Sequence, residues 1–182
     1  VTPLLDPANA NDTTLTLTLD PGLFFIGEDG EASITVQNWD PPAGYNTWIA
    51  PAAGNASVAA NWSHGVPTSG DAILLGAFST ADMTWDAGVD GLPNIVASWT
   101  QTNYYTGTVT FNTTYPAAAT VFTNFTVTGN AQILGGKWTH QPKATVQSNR
   151  LCVAVDGDFT LGSGATFALL GKGFQYGKYH TG

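Results

Sequence analysis

The sequence predicts an all-β protein whose main body is a parallel β-helix, with an N-terminal strand segment as a cap or side sheet. Three observations lead there. First, the stretch 125–138 matches the stretch 153–166 at an offset of 28 positions. Both copies read apolar, x, apolar, x, then Gly129-Asn130 or Gly157-Asp158, two more residues, and an apolar position (Ile133, Leu161). A fixed offset of this kind suits stacked units, each too small to bury its own apolar face. Second, only 10% of residues are charged, well below the ~25% of ordinary soluble domains, and Thr, Asn, Gly and Ser take their place. Third, no long amphipathic helical pattern occurs. Gly-Asn and Asp-Gly are also hairpin turns, so a β-sandwich is the alternative.

Taken in order, residues 1–12 are rich in Pro, Asn and Asp and read as irregular. Residues 13–19 alternate, with Leu15, Leu17 and Leu19 on one face and Thr14, Thr16 and Thr18 on the other, the pattern of a half-buried strand. A turn at 20–22 leads to a short apolar strand at 23–26. After a second turn at 27–30, Ala32, Ile34 and Val36 form another alternating face. The first 40 residues are too few for a sandwich of ~100 and are expected to form the cap or side sheet. The Pro-rich stretch 40–44 marks a boundary. Residues 41–70, rich in Ala, Asn and Pro, read as a connecting region, and 71–182 as the β-helix body. Strands are expected at 71–75, at 82–86 and at 106–112, where Val109 and Phe111 point inward. Residues 95–99 suit a strand or one helical turn. The stretch 115–120 interrupts the body, and 141–149 is a polar loop leaving it.

Composition bounds the setting. At 43% hydrophobic, the chain has enough apolar residues for a core. Its single cysteine, Cys152, lies in an apolar run and reads as a small buried hydrophobe, so no disulfide framework exists. No run reaches the ~18 apolar residues of a membrane-spanning helix. Val1 opens without a basic region or an apolar run, which suits a mature or trimmed product. The low charge suits an extracellular protein, and a net charge of −8 gives no footprint for nucleic acid.

At Asn61-Trp62-Ser63-His64-Gly65-Val66-Pro67, followed by the apolar run 71–75 and by Gly-punctuated short strands, the chain resembles the repeat regions of large secreted bacterial surface proteins. These are the β-helix group of autotransporter passengers and haemagglutinin-like proteins. There a Trp-Ser-x-Gly-x-Pro segment often leads into the first rung, and Gly-Asn or Gly-Asp pairs punctuate later ones. The likeness covers about residues 45–174 and rests on turn chemistry. It implies architecture, a cell-surface location, and adhesive or structural roles, and carries over no catalytic residue.

Candidate sites are few. Asp156 and Asp158 lie two apart and could share a face, as the carboxylates of a glycosidase must, but both also suit capping of the turn at Gly157. His64, His140 and His180 show no ligand spacing, so no metal site is expected. Glu28, Asp29 and Glu31 crowd a Gly-flanked turn. Oxygen-rich turns can hold calcium, yet the EF-hand spacing is absent and no cofactor is expected. Trp48, Trp62, Tyr104 and Tyr105 lie in or near loop-like sequence. If exposed they would stack on sugar rings; the competing reading is that they plug the core.

Charge is divided along the chain. Residues 1–136 hold eleven acids and no base, whereas 137–182 hold all five bases and two acids. If rungs stack in chain order the two ends carry opposite charge, which favours end-to-end contact with another copy or an adjoining domain, with Lys172 and Lys178 as its basic residues. The leading expectation is therefore a structural or adhesive module of a secreted cell-surface protein. A carbohydrate-binding module for extracellular polysaccharide is the second, and a polysaccharide-degrading enzyme the third; an enzyme is not expected.

Overall fold

In the first of two compact units, Val1–Asp40, strand β1 (Thr13–Thr18) pairs antiparallel with β2 (Glu31–Val36), Leu15 opposite Ile34 and Leu17 opposite Ala32. The computed structural model describes residues 13–18, 31–36, 40–112, 124–142 and 150–172. The expected strand at 23–26, the acidic turn at Glu28 and Asp29, the interruption at 115–120, most of the loop at 141–149, and Lys178 and His180 lie outside the described residues.

The second unit, Pro41–Gly182, is a parallel β-solenoid of about four turns. Its first turn holds β3 (Asn46–Thr47) and β4 (Gly54–Asn55). The second holds β5 (Ala72–Leu75), β6 (Met83–Trp85) and β7 (Ile95–Val96). Next come β8 (Ser98–Gln101), β9 (Thr108–Phe111) and β10 (Phe125–Val127), then β11 (Ala131–His140) and β12 (Val153–Val155), and finally β13 (Phe159–Phe167). Every ladder between these strands is parallel, which excludes the sandwich for this unit. Three faces result. One runs β3-β5-β8-β11 and a second β4-β6-β9-β11, with β11 and β13 long enough to serve both; the third is β7-β10-β12.

The matched copies are stacked rungs. Val127 pairs with Val155 and Ala131 with Phe159, both at the 28-residue offset. The Gly between them marks the corner where the chain passes from the third face to the first. Rungs approach closely there: a Cβ on Gly129 would lie 2.7 Å from the Ala97 carbonyl oxygen, and one on Gly157 2.7 Å from the Gly129 carbonyl carbon. The residue after Gly129 secures the next rung, since Asn130 Oδ1 accepts a hydrogen bond from the Asp158 amide at 2.9 Å. The offset is not uniform. An irregularity between Ile133 and Gly135 slips the register by one, so that Gly135 meets Gly164.

Two stretches depart from expectation. Residues 41–70, read as a connecting region, carry β3 and β4, which pair with β5 and β6 and make the first turn of the solenoid. Strands of two residues are too short to show alternation in sequence. Residues 95–99 are neither one strand nor a helical turn. The chain bends at Ala97, and β7 and β8 belong to different faces.

The interior is aromatic. Trp48, Trp62, Trp85, Trp99 and Trp138 form a chain of edge-to-face contacts at centroid distances of 5.1, 6.2, 5.6 and 5.4 Å, with Phe111 and Phe125 packed against it. Each such pair is worth ~0.5–1.5 kcal/mol beyond the area it buries. Buried indoles need acceptors, and carbonyls of Ala81, Ala56 and Pro93 serve Trp48, Trp62 and Trp85 at 3.1, 2.8 and 2.9 Å.

Candidate functional site

The expected aromatic face for sugar does not form from the four residues named for it. Trp48, Trp62 and Tyr105 are 0%, 3% and 0% exposed and belong to the core. Their surroundings look loop-like because they close the ends and corners of short rungs, where a large ring fills what a short strand leaves open. Tyr105 turns its hydroxyl inward to the Ala81 carbonyl at 2.9 Å, and burial, with the nearby Asp82 charge adding, pushes its phenol above its ordinary range. Tyr104 alone is exposed, at 65%.

The Trp-Ser-x-Gly-x-Pro segment is structural by its contacts. Ser63 Oγ accepts from the Thr47 amide at 2.9 Å and lies 2.8 Å from His64 Nδ1. The His64 amide donates to Asn46 Oδ1 at 3.1 Å, and Asn46 Nδ2 donates to the Gly65 carbonyl and to Asp71 Oδ2. Asp71 Oδ2 also accepts from the Thr68 amide. These bonds tie the first turn to the second.

The other candidates disperse. Asp156 and Asp158 sit exposed at the Gly157 corner. His140 is buried, and its Nδ1 faces the Gln141 carbonyl at 2.9 Å. Cys152 is half-buried, its thiol donating to Asn124 Oδ1 at 2.7 Å. Among the described residues no group of three His, Cys, Asp or Glu side chains could hold a metal ion, and no described helix is long and apolar enough to cross a membrane.

Two surfaces follow from the way the rungs stack. The first is the end of the solenoid. Inward positions run in columns along the rungs: Ile73, Trp99, Ala131, Phe159; Leu75, Gln101, Ile133, Leu161; Met83, Val109, Trp138, Phe167. Ala131, Ile133 and Trp138 are each 1% exposed, yet Phe159, Leu161 and Phe167, next in the same columns, are 47%, 47% and 37% exposed. Among the described strands β13 pairs β11 alone. Leu169 and Leu170 just beyond are exposed too, and Lys172 is half-buried there.

The second is a groove of about 350 Å³ at the corner between the first and second faces, where the turn between β8 and β9 stands beside β11 and β13. Tyr105, Gly135, Gly136 and Gly164 line it, with Asn103, Thr106, Lys137, Ser163 and Thr166 supplying polar atoms. Neither surface had a signal in single residues. The first would have required seeing that no described rung follows Phe159 and Leu161, the second that one corner carries a turn and the next two do not.

Comparison of the chain with protein-family models, with curated proteins and with solved structures returns no match.

Proposed function

We propose that the chain is a structural module of a secreted or cell-surface protein, of the kind its Trp-Ser-x-Gly-x-Pro segment and Gly-Asn punctuation resemble, and that β13 is the seat for a further solenoid rung. The observation that carries this reading is that Phe159, Leu161 and Phe167 are exposed on β13, in register over sealed neighbours, and that no further described strand pairs with it. An apolar row beside a free strand edge is a template for strand addition, which supplies ladder hydrogen bonds and covers the row at once. The opposite end of the same unit differs. Its core finishes in Trp48 and Trp62, buried and joined by an antiparallel bridge. The occupant we propose for β13 is therefore an adjoining solenoid segment rather than the first turn of a second copy.

Charge supports the same polarity. Rungs stack in chain order, so Asp71, Asp82, Asp86 and Asp90 belong to the early turns and Lys137, Arg150 and Lys172 to the later ones. A segment bearing acids would be favoured at the β13 end, Lys172 contributing, and the contact would weaken with salt.

The test uses the 182-residue chain. Its open end should bind a hydrophobic dye. Leu161→Lys with Phe167→Lys should reduce that binding while leaving the far-ultraviolet circular dichroism unchanged. A chain that binds no dye, or whose dye binding the double replacement leaves unchanged, would overturn the reading.

A further inference from the structure

We propose that the segment received by β13 runs parallel to it and repeats the corner of the two rungs beneath, with a glycine over Gly157 and the amide of the following residue donating to the Asp158 carboxylate. This rests on the reading of β13 given above and adds the direction, register and sequence that the seat requires.

The last two rungs turn from the third face to the first in the same way. Three residues form each corner, 128–130 between β10 and β11 and 156–158 between β12 and β13. Their backbone bonds climb in two series. The Thr128 amide donates to the Val96 carbonyl at 3.0 Å, and the Asp156 amide to the Val127 carbonyl at 2.9 Å. The Gly129 amide donates to the Ala97 carbonyl at 2.8 Å, and the Gly157 amide to the Gly129 carbonyl at 3.1 Å. The carbonyls of Val155 and Gly157 are next in these series, and a parallel segment would extend both. In strand addition such main-chain bonds supply affinity, and the fit of particular residues supplies selectivity.

Steric room sets the middle residue of the corner. A Cβ on Gly157 would lie 2.7 and 2.8 Å from the carbonyl carbon and oxygen of Gly129, and one on Gly129 would lie 2.7 Å from the Ala97 oxygen. A segment whose amide meets the Gly157 carbonyl at the same spacing brings its own Cα equally close, so it too needs glycine there. Ala97 stands on a shorter corner: Val96 and Trp99, in register with Val127 and Ala131, have two residues between them rather than three.

The residue after the glycine carries the second link. Asn130 Oδ1 accepts the Asp158 amide at 2.9 Å. Asp158 is exposed at the same place one rung on, and no described group bonds its carboxylate. A carboxylate accepts an N–H more strongly than an amide oxygen does, and it disfavours a second acid directly opposite. The chain itself contains a segment that meets these demands. Val127, Gly129 and Asn130 already match Val155, Gly157 and Asp158 from below, and the same spacing fits them from above.

The probe is a synthetic peptide of residues 125–138 with blocked termini, added to the full chain carrying the hydrophobic dye. The peptide should displace the dye, and the same peptide with Gly129→Ala should need at least about tenfold more to do so. Asp158→Ala in the full chain should weaken the peptide by about three- to tenfold with unchanged far-ultraviolet circular dichroism. A chain that binds the dye but releases it to neither peptide at concentrations on the order of 1 mM, or equally to both, would overturn the proposed register and leave the β13 reading standing. Peptide affinity untouched by Asp158→Ala would overturn the role of that carboxylate. A chain that binds no dye would overturn both readings.

Discussion

Trp138 and Gln101, sealed from solvent on adjacent rungs, are joined by a hydrogen bond of 2.9 Å from the indole Nε1 to the amide Oε1. The same oxygen receives Trp99 Nε1 at 3.4 Å, and the Gln101 amide nitrogen donates to the Gly135 carbonyl. One inward-facing glutamine thus satisfies two buried indoles and one carbonyl in a column that is otherwise apolar. Gln101→Leu keeps the volume and removes all three partners. It should destabilise the chain by about 1–3 kcal/mol, the cost of leaving buried donors unmet, and Gln101→Leu with Trp138→Phe together should cost less than the sum of the two single replacements, because the second removes a donor that the first leaves unmet. Urea melts of the three variants will check this; an unchanged midpoint for Gln101→Leu would show that the network contributes nothing.

The column containing Val127 and Val155 makes a graded prediction. Val127 is fully buried between β7 and β12, whereas Val155, in register with it, is half-buried on the last rung of that face. Val127→Asp places a carboxylate in the sealed core and should cost about 3 kcal/mol or more, while Val155→Asp can turn partly to water and should cost roughly 1–2 kcal/mol. Equal losses in thermal melting would contradict the position of β12 at the margin of the core.

How much of this was legible in the sequence depended on length and on repetition. The corners Gly129-Asn130 and Gly157-Asp158 were readable because two consecutive rungs use the same device, close approach at the glycine, and Asn130 adds a side-chain bond to the rung that follows. The first turn was not, because Asn46–Thr47 and Gly54–Asn55 show no periodicity in two residues and are held by side-chain bonds from Ser63 and Asn61 instead. The aromatics failed for a related reason. Trp48 and Trp62 stand among Ala, Asn and Gly, which in sequence looks like an exposed loop, yet small neighbours are what allow two indoles to pack at 5.1 Å. The corner groove was illegible altogether, since it exists only where a rung with a turn stacks beside rungs without one.

Gly136 tests that corner. Its φ of +71° suits glycine, and a Cβ there would lie 2.7 Å from the Gly107 carbonyl oxygen. Gly65, at φ +80°, has nothing within 4 Å of the same position. Both substitutions to alanine incur the left-handed penalty of ~1–2 kcal/mol, but only Gly136→Ala must also push the turn away from β11. The loss of stability should be clearly larger for Gly136→Ala, measured by chemical denaturation; equal losses for the two would show that the turn does not press on β11.

Tyr105 sets the alkaline limit. Its buried phenol, raised by desolvation and by Asp82, stays protonated in the folded chain above the value near 10 at which a tyrosine in the unfolded chain ionises. Above pH ~10 the unfolded state therefore releases a proton that the folded state keeps, and stability must fall as pH rises, with a slope approaching ~1.4 kcal/mol per pH unit until the folded phenol ionises too. Below pH ~10 this contribution is fully present. Tyr105→Phe removes the titration at small cost near neutral pH, because the Ala81 carbonyl that loses the hydroxyl still accepts Trp48 Nε1 at 3.1 Å, so the penalty should be about 1 kcal/mol. The two stability curves, from urea melts between pH 7 and 11.5, should converge above pH ~10 as the unsubstituted chain loses its advantage. Parallel curves across that interval would mean that Tyr105 titrates alike in both states and is not buried as described.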